Sequence, residues 1–285
     1  MGFFQNIIDI VRGKKVIKIV DKKKRKKKLI IPQEYKDRAF YVNPKKNKIF
    51  TKSYDVLCSI MEYNKNKDIP IFYERRSSWF LKDIFKDRYD NQLKFVEEEY
   101  LPHVTKEDIL CDIGSASGEF TFILAKHCKQ IDGYEISQKM VDFSINYAKE
   151  NNITNADFYR ADIQKDKIEK VYDNVSMMGV LSYVLDENVA KNCIKKLKML
   201  LKSNEGGIIV YKDNCNFSDE NYYFLGPSKD YRMVARSKDK IINMFKECGF
   251  EIVAQKILHK VELHCPDLNT SIETASLGLV LKKQT

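Results

Sequence analysis

Ile109-Leu-Cys-Asp-Ile-Gly-Ser-Ala-Ser-Gly-Glu119 is the stretch that decides the fold. An apolar run closes on Asp112, small residues follow at every second position (Gly114, Ala116, Gly118), and Phe120 to Cys128 then has a helical pattern. A buried strand, a tight turn and a helix start predict a backbone that can approach a ligand closely, with helix N–H groups aimed at it. Turns that cradle a pyrophosphate use a different spacing, Gly-x-Gly-x-x-Gly. Ala116 takes the middle position, and a non-glycine residue there is expected to keep a negative φ.

Downstream the pattern alternates. Strands are expected at 108–113, 130–135, 156–159, 172–178, 207–212, 250–257 and 275–282, and helices at 117–128, 138–151, 188–202 and 238–248. That alternation predicts a seven-stranded, mostly parallel sheet with helices on both faces. In such sheets a ligand lies beyond the carboxyl ends of the strands. Two acids fall there besides the turn. Glu135 ends Ile131-Asp-Gly-Tyr-Glu, where a carboxylate can accept hydrogen bonds from ribose hydroxyls, and Asp162 ends Phe158-Tyr-Arg-Ala-Asp. Asp132 comes too early in its strand and is expected only to start it.

Asp112-x-Gly-x-Ala-x-Gly118 resembles motif I of the class I S-adenosylmethionine (SAM) methyltransferases, and Glu135 and Asp162 follow it in that family's order. The resemblance covers about residues 105–285. It implies the class I methyltransferase fold, with a last strand that enters antiparallel, and SAM as cofactor, leaving S-adenosylhomocysteine as product. Carried over position by position, it implies a cofactor site of Asp112, Gly114, Ser115, Ala116, Gly118, Glu135, Ile136, Ala161, Asp162 and Met178. The alternative, a domain that binds NAD, does not account for this spacing of small residues.

The acceptor side is less familiar. After the fourth strand comes Met177-Met-Gly-Val-Leu-Ser-Tyr-Val, with Tyr183 where many small-molecule members of the family carry a His. A tyrosine hydroxyl with an ordinary pKa near 10 is a poor base at neutral pH. The next strand, Gly206-Gly-Ile-Ile-Val-Tyr-Lys-Asp-Asn, is similar to the protein α-N-terminal methyltransferases, together with Asp230-Tyr-Arg and Phe245 to Phe250. In that group the Asp at this place handles the substrate amine, which makes Asp213 a candidate. His259 is a further candidate base. Its neighbours Glu262 and His264 give only weak metal-ligand spacing, so no metal is expected. Arg232 and Arg236 are candidates for an anionic acceptor, or are solvated helix charges.

Three segments are expected: a basic N-terminal extension over 1–52, a helical lid over 53–105 and a SAM-binding domain over 106–285. The extension holds 17 Lys/Arg against 4 Asp/Glu, a net +13 in a chain of +10, so the other 233 residues carry −3. A domain without excess positive charge makes nucleic acid an unexpected partner. Residues 2–11 have a short amphipathic helical pattern, and Lys22 to Lys28 are all basic. Residues 2–28 therefore read either as a peripheral contact with the inner face of a membrane or as a solvated tail. In the lid, Tyr73 and Trp79 either face the ligand or pack in the core. Seven scattered cysteines without a C-x-x-C pair suit a reducing, cytoplasmic setting. The expectation is methyl transfer to a small-molecule or glycan-linked acceptor, at oxygen. The alternatives are N-methylation of an amine or peptide N-terminus, and a non-catalytic SAM-binding scaffold.

Overall fold

The computed structural model describes residues 6–11, 14–19, 28–43, 45, 48–64, 86–202, 207–226 and 232–284, with side chains from residue 28 onward. Tyr73, Trp79, Asp230 and all but the last lysine of the Lys22–Lys28 run lie outside the described residues.

The chain starts with β1 (Asn6–Val11) and β2 (Lys14–Ile19), paired antiparallel as a two-stranded unit. A helix was expected over residues 2–11. The strand wins because four of the six residues of β1 are Ile or Val, and branching at Cβ favours the extended chain. A partner of similar composition follows only two residues later.

Next come β3 (Ala39–Asn43), β4 (Lys48–Thr51) and α1 (Tyr54–Asn64). After them, α2 (Lys86–Phe95) runs into a π-helical turn at Val96–Tyr100. The alternating part holds β5 (Ile109–Ile113), α3 (Glu119–Ala125), β6 (Gln130–Glu135), α4 (Gln138–Glu150), β7 (Ala156–Arg160), β8 (Asn174–Met178) and α5 (Glu187–Leu200). It continues through β9 (Ile208–Asn216), β10 (Tyr222–Leu225), β11 (Arg232–Ser237), α6 (Lys238–Glu247), β12 (Phe250–Cys265) and β13 (Thr270–Lys283).

All seven expected strands are present. β7, β6, β5, β8 and β9 lie side by side and parallel, and β13 enters antiparallel against β9 with β12 beyond it. The chain winds outward from β5 through β6 to β7 and then returns to β8. The strand order therefore reverses between β5 and β8, where open α/β sheets bind ligands. Alternate side chains of each strand face opposite layers. On one face Cys111, Met177, Tyr211 and Leu277 pack with α5 and α6; on the other Leu110, Val210 and Val280 pack with α2, α3 and α4. Helix α5 shows how local sequence sets this up. Asp186 caps its first turn by accepting from the Val189 N–H at 2.9 Å, and Ala190, Cys193, Ile194 and Leu197 recur at helical spacing as its buried stripe.

Besides the β1–β2 pair, four strands lie beyond those expected. β11 joins the edge of β9 in parallel at Arg236 and Ser237, and β10, β4 and β3 continue from it antiparallel. The described residues between 29 and 51, expected within the basic extension, thus pack into the body. Leu29, Ile31, Ala39 and Ile49 are buried with Val56, Leu57 and Ile60 of α1 and with Leu225 and Val234. The expected limit at residue 52 falls between β4 and α1, which share that core.

Arg232 and Arg236 sit on a strand, not a helix. Arg232 is exposed, while Arg236 is 3% exposed and forms no ion pair among the described residues. Its guanidinium donates to the carbonyls of Leu181 (2.7 Å), Val184 and Leu185. It therefore holds the loop after β8. Arg236→Met should leave those buried carbonyls without donors and cost about 2–4 kcal/mol, seen as a lower urea midpoint. Arg232→Ala should stay within about 0.5 kcal/mol of the parent.

Candidate cofactor and acceptor site

The turn after β5 folds back on β6. The N–H groups of Gly114 and Ser115 both donate to the Tyr134 carbonyl, at 2.7 and 3.1 Å, and Gly118 donates to Ser115 at 2.8 Å. Gly114 and Gly118 have φ of 75° and 81°. A Cβ on Gly114 would come within 2.3 Å of Val180 in the loop after β8. Ala116 was expected to keep negative φ, yet it adopts φ 48°. The left-handed conformation costs an L-residue about 1–2 kcal/mol, so it must be held from outside. Two contacts hold it: its N–H donates to Glu135 Oε2 at 3.1 Å, and its carbonyl accepts from Ser144 Oγ of α4 at 3.4 Å.

Glu135 serves both sides of this turn. Its Oε1 accepts from the Ser137 N–H at 2.9 Å. Burial raises its pKa above the usual carboxylate range, opposed by these backbone donors. Each carboxylate oxygen can accept a further bond, so lone pairs remain for a ribose. Beside it Ile136 is 38% exposed, an apolar surface at the sheet's end. Asp112 is buried and bridges three elements: Thr121 of α3 and Ser176 of β8 each donate to it at 2.6 Å. Burial raises its pKa as well. Ala161 donates to the Glu135 carbonyl at 3.0 Å. Asp162 closes its own turn by accepting from the Gln164 N–H at 2.9 Å. Asp132 does more than start a strand. It is 1% exposed and ties Lys170 (2.6 Å) and Tyr172 (2.8 Å) under β6.

The acceptor side is built on the ends of β8 and β9. Met178 takes a contact of 3.0 Å from Gln92 Nε2 of α2. Gly179 has φ 78° and open space where a side chain would be. A single 3₁₀ turn at Leu181–Tyr183 follows. Asp213 is 1% exposed and supports that turn from below. It accepts from the Ser182 N–H at 2.9 Å, from the Ser182 hydroxyl, and from the Asn214 N–H at 2.8 Å. Tyr183 ends the turn. His259 lies opposite Ser276, which lies opposite Asn214. That row places it two strand spacings from β9, about 10 Å away, at the rim. His264 pairs with Ser271 and Glu262 with Glu273, further out along the hairpin. Among the described residues no cluster of His, Cys, Asp and Glu could hold a metal.

Three residues of this side were not singled out from the sequence: Arg88 and Gln92 of α2, and Lys212. The available signal for Lys212 was a charge closing the apolar run Ile208–Tyr211. For α2 there was none, since only the fold brings it over β8 and β9.

These residues suit SAM. Ser115 Oγ is buried in the turn without a hydrogen-bond partner among the described residues. A buried hydroxyl left unpaired is costly, and a polar ligand lying on the turn would satisfy it. Glu135 and Ile136 stand at the end of β6, and Asp162 stands two residues past the end of β7. A surface groove of about 610 Å³, lined by His103, Asp108 and Asn174 among others, opens at the opposite, amino ends of the strands. It is the wrong end for this chemistry.

Residues 105–261 match the family model for the methyltransferase domain, and the chain belongs to that family. SAM is the cofactor of this domain. A 23S rRNA (uracil(1939)-C(5))-methyltransferase of Legionella pneumophila is 35% identical over 28% of this chain and 18% of its own length. A ubiquinone biosynthesis O-methyltransferase of Coxiella burnetii is 24% identical over 51% of this chain and 59% of its own. The chain thus matches less than two thirds of either relative. An S-adenosylmethionine-dependent methyltransferase from Clostridium acetobutylicum superposes with a TM-score of 0.51 at 15% identity, covering 81% of this chain and 99% of that one. That likeness concerns the fold. No helix among the described residues is long and apolar enough to cross a membrane.

Glu135→Ala should release the turn and weaken SAM by about 1.5–3 kcal/mol, roughly 10- to 100-fold, by isothermal titration. Ala116→Gly should leave affinity within about threefold, because glycine accepts the conformation that Glu135 imposes on alanine.

Proposed function

We propose that the protein transfers the methyl group of SAM to an oxygen of a small-molecule or glycan-linked acceptor. The observation that carries this reading is the sheet's carboxyl edge at the switch point. A turn pinned by Glu135 stands on one side, and a preformed acceptor turn pinned by Asp213 stands on the other. Bound SAM supplies a methyl on a positively charged sulfur, and its transfer is an in-line displacement that needs alignment and a dry site more than a strong acid. The chain's own residues meet that need. Asp112 locks β5, β8 and α3 together beneath the turn, and α2 covers the ends of β8 and β9 through Gln92 and Arg88.

Asp213 acts here as a positioning residue: it shapes the turn that presents Tyr183. Both its oxygens already take hydrogen bonds from Ser182, with Asn214 on one of them. That engagement favours oxygen over an amine held directly by Asp213. In this reading Tyr183 orients the acceptor hydroxyl and His259 takes up its proton. The relatives named above include an rRNA methyltransferase, so they lend no support to leaving nucleic acid out. Residues 2–28 are proposed to touch the inner face of a membrane, in a cytoplasmic enzyme.

Tritiated methyl transfer from SAM into fractionated cell extract tests the reading. Label is expected in a non-protein fraction, resisting conditions that release methylamines. Label in RNA, or in protein N-termini, would replace the acceptor. SAM binding with no transfer into any fraction would leave a scaffold.

A further inference from the structure

Lys212 and Arg88 meet where the β9 end runs under α2. Lys212 is 7% exposed. It pairs with Met178 across β8 and with Gly278 across β13, on the face that α2 covers. Phe95 fills the space over Gly278, so the lysine stem has an apolar wall on that side. Among the described residues no group accepts a hydrogen bond from its ammonium, and none forms an ion pair with it. Arg88 reaches in from α2 and donates to Asn214 Oδ1 at 2.9 Å. No carboxylate among the described residues pairs with its guanidinium either. The nearest acid in sequence, Asp213, is bound to Ser182 and Asn214.

A buried ammonium and a half-buried guanidinium thus stand near each other, and among the described residues neither has an ion-pair partner. Burial, and next the charge of Arg88, pull the Lys212 pKa down to about 8, against the pull of Asp213. Such a pair is unfavourable by itself: the Lys212 ammonium has lost hydration and the two charges repel. An oxyanion placed between them removes both penalties, and a guanidinium beside an ammonium suits a carboxylate or a phosphate.

We propose that Lys212 and Arg88 bind a carboxylate or phosphate carried by the methyl acceptor, so that the acceptor is an anion. This rests on the methyltransferase reading above. The cofactor brings a carboxylate of its own, and position separates the two. The cofactor turn follows β5 and its acids follow β6 and β7. Lys212 stands on β9, on the far side of β8, two strand spacings or about 10 Å from β5. Its carbonyl accepts from the Gly179 N–H at 2.6 Å, at the start of the loop that carries Tyr183, on the acceptor's side.

The test follows the Lys212 side chain by NMR in the full chain with ¹³C-labelled lysine, assigned through Lys212→Met. Its titration midpoint is read alone, with S-adenosylhomocysteine, and with S-adenosylhomocysteine plus inorganic phosphate or acetate. The expected result is a midpoint that S-adenosylhomocysteine leaves in place and phosphate or acetate raises by about one pH unit or more, with the rise lost in Arg88→Met. A rise on adding S-adenosylhomocysteine alone, with no further change, would assign the pair to the cofactor's carboxylate and overturn the proposal. No rise with either anion would overturn it as well. Isothermal titration runs in parallel: SAM affinity should stay within about threefold in Lys212→Met, and a loss of tenfold or more counts against the proposal. Failure of SAM to bind the parent chain would instead sink the methyltransferase reading, and the phosphate arm would still report on the pair.

Discussion

One carboxylate holds the cofactor edge in shape. Glu135 takes the N–H of Ala116 on one oxygen and that of Ser137 on the other, and so ties the turn after β5 to the start of α4. Without it Ala116 keeps only the Ser144 contact to hold it left-handed, against an intrinsic preference of about 1–2 kcal/mol the other way. The turn would relax, Ser115 and Gly118 would move with it, and the space beyond the sheet would lose its floor. Burial raises the Glu135 pKa, so part of the hydrogen-bond energy is spent on keeping a charge out of water. A site that binds by shape rather than by strong chemistry needs such a pre-formed floor.

The acceptor half uses the same device twice. Asp213 grips the turn at Leu181–Tyr183 from β9, and Arg236 grips the carbonyls of the same loop from β11. β11 belongs to the four-strand addition that also carries β3, β4 and β10. The addition is therefore coupled mechanically to the acceptor turn, and its packing sets where Tyr183 stands. An insertion at this place can change the acceptor without touching the cofactor turn, a division of labour that the fold allows because the two halves rest on different strands.

How much of this was legible in the sequence follows from range. The βα pattern from Ile109 to Lys283 was readable because buried parallel strands and amphipathic helices announce themselves within about ten residues. The turn at Gly114–Gly118 and the acids Glu135 and Asp162 were readable for the same reason. Three features were not. The conformation of Ala116 depends on Glu135, 19 residues away. The burial of Arg236 depends on a loop 51 to 55 residues earlier. Strand β4, with β3 beyond it, finds its neighbour in β10, about 170 residues on, while the lysines around the two strands made them look like part of a tail. The β1–β2 pair failed differently: an apolar spacing that fits one side of a helix was outweighed by the branching of the residues that supplied it.

Charge is distributed unevenly along the edge, and the asymmetry has a direction. Asp112 and Glu135 lie toward β5 and β6, while Lys212 and Arg88 lie toward β9 and α2. A sulfonium is positive and loses its charge as the methyl leaves. The acid-lined half favours it before transfer, and the cationic half would repel it if it slid across. At about 10 Å and an effective dielectric near 20, a unit charge contributes about 1–2 kcal/mol, enough to bias orientation by roughly tenfold. An acceptor of opposite sign feels the reverse gradient and is drawn toward β9. With an anionic acceptor, as proposed, one field would sort the two reactants to their own halves.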